Sequence, residues 1–158
     1  MRLEYFQMLD RIVDVDMDAR TIRTACKIPQ ADETPIFQGH FPGYPLMPGV
    51  LLIECMAQTT GWLASALVNF DIMPILASVK EGKMRRAVFP GDELEFEGKV
   101  IHEGSGFTVG EIKGQRAGKP VCNAQITYRM VPYPNPKFRQ AIRDWAERLQ
   151  FPFKEPVK

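Results

Sequence analysis

The stretch Gly39–Val68 reads GHFPGYPLMPGVLLIECMAQTTGWLASALV, and its reading decides the fold. It opens as a loop with Pro42, Pro45 and Pro48 at three-residue spacing and Gly39, Gly43 and Gly49 beside them. Each proline fixes its own φ and pushes the residue before it toward extended backbone. Such a loop has little freedom left to lose, which suits His40, a side chain useful only when held in place. From Val50 to Phe70 the chain is apolar on nearly every side, the pattern of a helix enclosed by protein or lipid. Inside this run Glu54 and Gln58 lie four apart on one face, with Gly61 a further turn along. A carboxyl there must be paired, protonated or used. The run is long enough to span a membrane. Glu54, Gln58, Thr59 and Thr60 would then sit at membrane depth without partners, which favours a buried core helix instead.

The rest of the composition is that of an ordinary globular chain. The 158 residues suffice for one domain with its own core. A hydrophobic share of 45% with 25% charged residues is unremarkable, and a net charge of +1 gives no general attraction to nucleic acid or membranes. The start, MRLEYFQMLDR, carries acids too early and too short an apolar stretch for a signal peptide. Cys26, Cys55 and Cys122 are odd in number and lack C-x-x-C spacing, so neither a disulfide framework nor a metal site is expected. Cys55 adjoins Glu54 but points elsewhere on a helix and reads as a buried structural thiol. A reduced, cytoplasmic setting follows as the expectation.

Alternation marks the remaining elements. Val13, Val15 and Met17, then Ile22, Thr24, Cys26 and Ile28, suggest a hairpin turning at Asp18-Ala19-Arg20 within residues 2–30. Residues 30–48 read as loop. After the helix, which should end near Asn69–Met73, a short strand is expected over Ile75–Val79. The basic cluster Lys80, Lys83, Arg85 and Arg86 follows, then a turn at Phe89-Pro90-Gly91-Asp92. Leu94, Phe96 and Val100 mark a strand ending at Gly104-Ser105-Gly106. Phe107 and Val109 start another, and Cys122, Ala124, Ile126, Tyr128 and Met130 a last one. Short turns imply antiparallel pairing, hence an α+β fold of one buried helix against a sheet. Residues 132–158 form a tail: Pro132, Pro134 and Pro136 break the sheet. Phe138, Ile142, Trp145 and Leu149 then recur at helical spacing, an amphipathic helix docked on its own sheet or on a second subunit. His102, beside Glu103, belongs to no motif and reads as a surface residue.

Histidine is the side chain most readily used as a base near neutral pH, and a carboxyl in apolar surroundings favours its neutral form and can act as an acid. His40 and Glu54 facing one substrate would suit an elimination, in which a carbon proton leaves on one side and a hydroxyl leaves as water. The free N–H groups at the helix start, from about Gly49, could stabilise an enolate-like oxygen.

The pattern G-H-F-P-G-x-P-x-M-P-G-V-L-x-I-E-x-M-A-Q, present as Gly39–Gln58, resembles the signature of FabZ-type (3R)-3-hydroxyacyl-acyl carrier protein dehydratases. Lys83–Asp92, KMRRAVFPGD, is similar to that family's K-x-R-R-P-V-x-P-G-D segment, and the likeness covers roughly residues 5–131. It implies a hotdog domain over residues 1–131, in which a curved antiparallel sheet wraps a long helix and domains pair into dimers, or trimers of dimers, through their sheets. It also implies that His40 of one subunit faces Glu54 of the other. By similarity His40 takes the C2 proton, Glu54 assists loss of the 3-hydroxyl, and the Gly49 N–H holds the thioester carbonyl. Gln58 supports Glu54, and Phe96 lines the acyl tunnel. Lys80, Lys83, Arg85 and Arg86 would dock an acidic acyl carrier protein. No metal or organic cofactor is implied. Glu rather than Asp at position 54 resembles the FabZ type more than the isomerising FabA type.

Three departures stand out: Tyr44 where a basic or small polar residue is usual, Ala87 where proline is usual, and the tail beyond Pro132. These, with the opening EYFQMLDR, resemble the FabZ-like branch that makes very-long-chain hydroxy fatty acids for lipid A on dedicated carriers. The competing readings are a hotdog thioesterase, which the His40 and Glu54 pair disfavours, and a non-catalytic acyl-binding scaffold.

Overall fold

A computed structural model describes residues 1–153. A single turn of 3-10 helix at Leu3–Tyr5 precedes the hairpin β1 (Arg11–Asp16) and β2 (Thr21–Lys27). A short helix α1 (Ile36–Gly39) sits within the stretch expected to be all loop. Then come α2 (Gly49–Leu67), β3 (Ile72–Met84), β4 (Glu93–Gly104), β5 (Phe107–Arg116), β6 (Lys119–Pro132) and α3 (Pro136–Arg148). The six strands form one antiparallel sheet in the order β1-β2-β4-β5-β6-β3, curved around α2. The architecture is the expected α+β hotdog.

The sheet presents alternate residues to α2. On β4 these are Leu94, Phe96, Gly98 and Val100; on β6 they are Cys122, Ala124, Ile126 and Tyr128. On β5 the inward set is Thr108, Gly110, Ile112 and Gly114, the opposite phase to the Phe107 and Val109 that flagged the strand. Small residues are needed there because α2 comes close. A Cβ on Gly110 would lie 3.0 Å from Cβ and Cγ2 of Thr60, and one on Gly98 would collide with the same methyl group. Thr60 cannot step aside: its hydroxyl bonds the Tyr128 oxygen at 2.5 Å, and the Tyr128 hydroxyl donates to Ala57 O at 2.7 Å. Thr59 and Thr24 share a hydrogen bond of 2.8 Å nearby. The polar threonines of the helix are thus paired inside the core, as burial requires. Gly49–Leu67 has the length and composition of a membrane span, but its residues pack within the sheet.

Two features differ from expectation, the length of β3 and the enclosure of α2. β3 runs for 13 residues, well beyond Ile75–Val79, so that Lys80 and Lys83 lie on the strand itself. Bulges between Leu76 and Ser78 and between Lys80 and Lys83 break its alternation, which is why the sequence pattern stopped short. Pro74 sits inside β3 and is tolerated because β3 is an edge strand, bonded on one side only, to β6. The helix also is not enclosed on all sides. Its second half is buried from Thr59 to Ser65, but near its start Val50 is 71% exposed and Ile53 and Glu54 are half-buried.

The tail helix docks on its own chain. Asn135 caps it by accepting from the Phe138 N–H, and Pro136 follows at the first helical position. Trp145 packs edge-on against Trp62 of α2 with ring centres 5.6 Å apart, and Ala146 and Leu149 are buried. Ile12 N–H of β1 donates to Leu149 O at 2.7 Å, so the tail also satisfies part of the outer edge of β1.

Candidate active site

The loop from His40 to Pro48 is held by its own backbone. Phe41 and Tyr44 exchange N–H···O bonds of 3.0 and 2.9 Å around Gly43, whose φ of +76° only glycine adopts without strain. Leu46 N–H donates to His40 O at 2.8 Å, and Met47 N–H to Val88 O at 2.9 Å. The imidazole is fixed as well: Nδ1 lies 2.8 Å from Leu46 O, and the ring stacks on Phe41 at 4.0 Å. A carbonyl can only accept, so Nδ1 is the donor, and in the neutral ring Nε2 is left with the lone pair a base needs.

His40 lines a cleft of about 370 Å³ with Gly49, Leu52, Met84 and the segment Arg85–Val88. Gly49 begins α2 directly after Pro48, and no side chain caps that helix. The Gly49 N–H has no acceptor among the described residues, which leaves a donor with the positive end of the helix dipole behind it. A Cβ on Gly49 would meet Met84 Cγ at 3.4 Å, so the glycine also keeps this corner open.

Glu54 lies elsewhere. It lines a second, apolar cleft of about 350 Å³ that runs along α2 through Gln58, Gly61, Trp62 and Ser65. Gln58 is clamped by the opening segment: its Nε2 donates to Phe6 O at 2.6 Å, and its Oε1 accepts from Met8 N–H at 3.3 Å. The same Nε2 donates to Glu54 Oε1 at 3.0 Å, so Gln58 orients the carboxyl group. The role of residues 6–8 in holding Gln58 could not be read from the sequence. Their carbonyl and N–H act across some fifty positions and leave no side-chain signature.

Within one chain, then, the fold groups His40 with Gly49 in one cleft and Glu54 with Gln58 in another. Phe96 is in neither; it is buried against Gly114 in the core. Arg85 and Arg86 border the His40 cleft, tethered through Nε to Asn123 Oδ1 (3.0 Å) and Pro120 O (3.1 Å), while Lys80 and Lys83 lie exposed along β3. Tyr44, 60% exposed, meets Phe89 edge-on at 5.9 Å, and Ala87 lines the same cleft as His40. His102 is exposed on β4. The cysteines are all buried. Hydrogen bonding with Cys26, then burial, push the Cys55 thiol well up, and burial raises Cys122 to about 11, so both stay protonated and unreactive at neutral pH. No group of three or more metal-ligating side chains occurs among the described residues.

A curved sheet around a long helix, with a histidine loop at the helix start and an acid one turn in, defines a hotdog domain of the dehydratase kind. Residues 2–125 match the FabA-like domain model, and the chain belongs to that family, on its FabZ-type side. It is 38% identical over 126 residues, 77% of this chain and 80% of the relative, to the 3-hydroxyacyl-acyl-carrier-protein dehydratase FabZ of Shewanella baltica. It is 43% identical over 97 residues, 58% of this chain and 63% of the relative, to the protein of that name in Shewanella oneidensis. Among solved structures it resembles a conserved protein of Pseudomonas aeruginosa (TM-score 0.63, 22% identity, 80% of this chain and 93% of that one). It also resembles a hypothetical thioesterase of Streptococcus pneumoniae crystallised with coenzyme A (TM-score 0.61, 15% identity, 79% and 90%). At these identities the solved structures speak for the fold alone.

Proposed function

We propose that this chain removes water from (3R)-3-hydroxyacyl chains carried on an acyl carrier protein, giving the trans-2-enoyl thioester of fatty acid synthesis. The observation that carries this reading is the hydrogen bond between His40 Nδ1 and Leu46 O. Leu46 O holds Nδ1–H, leaving Nε2 as base in a cleft that also contains the Gly49 N–H. In the reaction Nε2 takes a proton from C2. The Gly49 N–H stabilises the thioester oxygen as negative charge builds there, and Glu54 gives a proton to the departing 3-hydroxyl. Because one chain keeps Glu54 in a separate cleft, the acid comes from Glu54 of the partner subunit in a homodimer. The bare edge of β3 supports such pairing, with Ile75 and Leu76 each more than 40% exposed, as does the exposed Val50. The assembly would be a dimer or a trimer of such dimers, in the cytoplasm, with the carrier protein docking on Lys80, Lys83, Arg85 and Arg86. No cofactor takes part in the proposed chemistry.

Replacing Glu54 with Gln keeps shape and removes the acid. The variant should fold normally and lose roughly a hundredfold or more in dehydration, the usual scale for a general acid. The assay follows enoyl formation from carrier-bound 3-hydroxyacyl substrates while recording free thiol. Enoyl product without thiol supports the proposal. Thiol without enoyl product would move the assignment to a thioesterase, and unchanged turnover in Glu54→Gln to a site that does not use this acid. The branch for very-long-chain hydroxy acids, suggested by Tyr44, Ala87 and the tail, predicts that turnover rises with chain length.

A further inference from the structure

The apolar cleft that begins at Glu54 does not end within the hotdog body. Along α2 its lining is Glu54, Gln58, Gly61, Trp62 and Ser65, one stripe at helical spacing. Ser65 is eleven residues beyond Glu54, about 16 Å along the helix axis. One side of the cleft is β3, from Met73 to Leu76, with Tyr128 of β6. Gly61 keeps the middle open: a Cβ there would stand 3.8 Å from Tyr128 Cε1 and 3.9 Å from Pro74 Cγ. Beyond Gly61 the opposing wall is supplied by the tail, through Tyr133, Phe138, Ile142 and Trp145. Phe138 is 42% exposed, and nothing polar on α3 intrudes among these side chains. The tail helix is also seated by contacts outside this wall, namely the Arg139–Asp71 ion pair and the Ile12–Leu149 bond.

Resting on the dehydratase reading above, we propose that α3 is part of the acyl-binding site. Phe138 and Ile142, with Trp145 behind them, grip the distal half of a long hydrocarbon chain whose C3 lies at Glu54. The occupant follows from continuity and lining. The cleft starts at the acid that would act on C3, and from there onward its lining is predominantly apolar. Carbon–carbon bonds of about 1.5 Å in zigzag advance roughly 1.3 Å per methylene. The first eight or so methylenes beyond C3 therefore meet only α2, β3 and β6, and later ones meet α3. Each methylene so buried strengthens binding roughly fourfold, about 0.8 kcal/mol. Short chains ignore α3, and long chains depend on it. The tail thus acts as a specificity element for chain length, and Phe138 and Ile142 are its specificity-determining side chains.

The test compares kcat/KM for six-carbon and sixteen-carbon 3-hydroxyacyl chains on one carrier protein, in the wild type, Phe138→Ala and Ile142→Asn. Asp144→Ala, on the solvent side of α3, serves as the control. Titration of each protein with a fluorescent sixteen-carbon fatty acid runs beside it, and thermal melting verifies folding. The expected result is at least a tenfold fall in the sixteen-to-six ratio for both groove variants, carried mainly by KM, with weaker binding of the fatty-acid probe. Asp144→Ala should keep the wild-type ratio. Folded groove variants with an unchanged ratio and unchanged probe affinity would overturn the proposal. So would an unchanged ratio accompanied by a drop in oligomer mass, which would make the groove a contact between copies. A wild type that dehydrates no chain would sink the dehydratase reading instead, and the probe titration would still decide whether α3 holds hydrocarbon.

Discussion

At the scale of single residues, Thr60 sets how closely the central helix approaches the sheet. Its side chain is locked by Tyr128 and opposes Gly98 and Gly110, so two strands give up their side chains where the helix crosses them. Neither glycine there has a left-handed φ; each is needed for space. Gly110→Val would push methyl groups into a threonine that cannot rotate away. The expected cost is about 1–3 kcal/mol, the usual range for overpacking a filled core. Urea unfolding should show a lower midpoint with an unchanged slope, and an unaltered midpoint would mean that α2 can shift freely. His40 and Gln58 illustrate the same economy of position. Each is fixed by backbone groups, Leu46 O for the first and Phe6 O with Met8 N–H for the second, so that the reactive atoms beside them need no further ordering.

At the scale of elements, the sequence showed what is local and hid what is not. The rigid loop, the helix from Gly49, the amphipathic tail and five of the strands announced themselves by proline spacing or alternation. The full length of β3 did not, because its two bulges and its bare edge remove the period-two signal. The Gln58 clamp and the tail's share in the Glu54 cleft were equally invisible, since both join segments far apart in the chain. The histidine loop and the acid were legible individually; their separation into two clefts was not, and that separation makes β3 important. The tail satisfies part of the β1 edge, whereas β3 has hydrogen-bonding groups and apolar side chains still to cover. If pairing there completes the site, mixing His40→Ala with Glu54→Gln protein should restore activity that neither has alone. In a statistical mixture half the dimers are mixed, and each holds one intact site of two, so about a quarter of wild-type turnover is expected from two-fold symmetry. No recovery after verified subunit exchange would place both groups in one chain.

At the scale of the whole molecule, electrostatics must act locally. A net charge of +1 produces no far field to draw in an acidic carrier protein. The cluster of Lys80, Lys83, Arg85 and Arg86 faces only Glu81 within its own segment, and it extends from the end of β3 to the rim of the His40 cleft. An acidic partner seated on it would deliver a tethered substrate to the base, while in the proposed dimer the apolar groove along α2 of the other subunit would take up the acyl chain. The attraction has a range of about 8 Å at physiological salt, so it fixes orientation after encounter more than it steers from afar. Reversing Lys80 and Lys83 to Glu leaves the cleft lining intact and turns this attraction into repulsion. We expect kcat/KM for carrier-borne substrate to fall roughly tenfold at low ionic strength, with the gap closing as salt is raised toward 1 M, where the screening length shrinks to about 3 Å. Turnover of the same acyl group on a small thiol should not change. An equal loss on both substrates would instead locate the damage in the fold or the cleft, and no loss on either would make the cluster a solvated face.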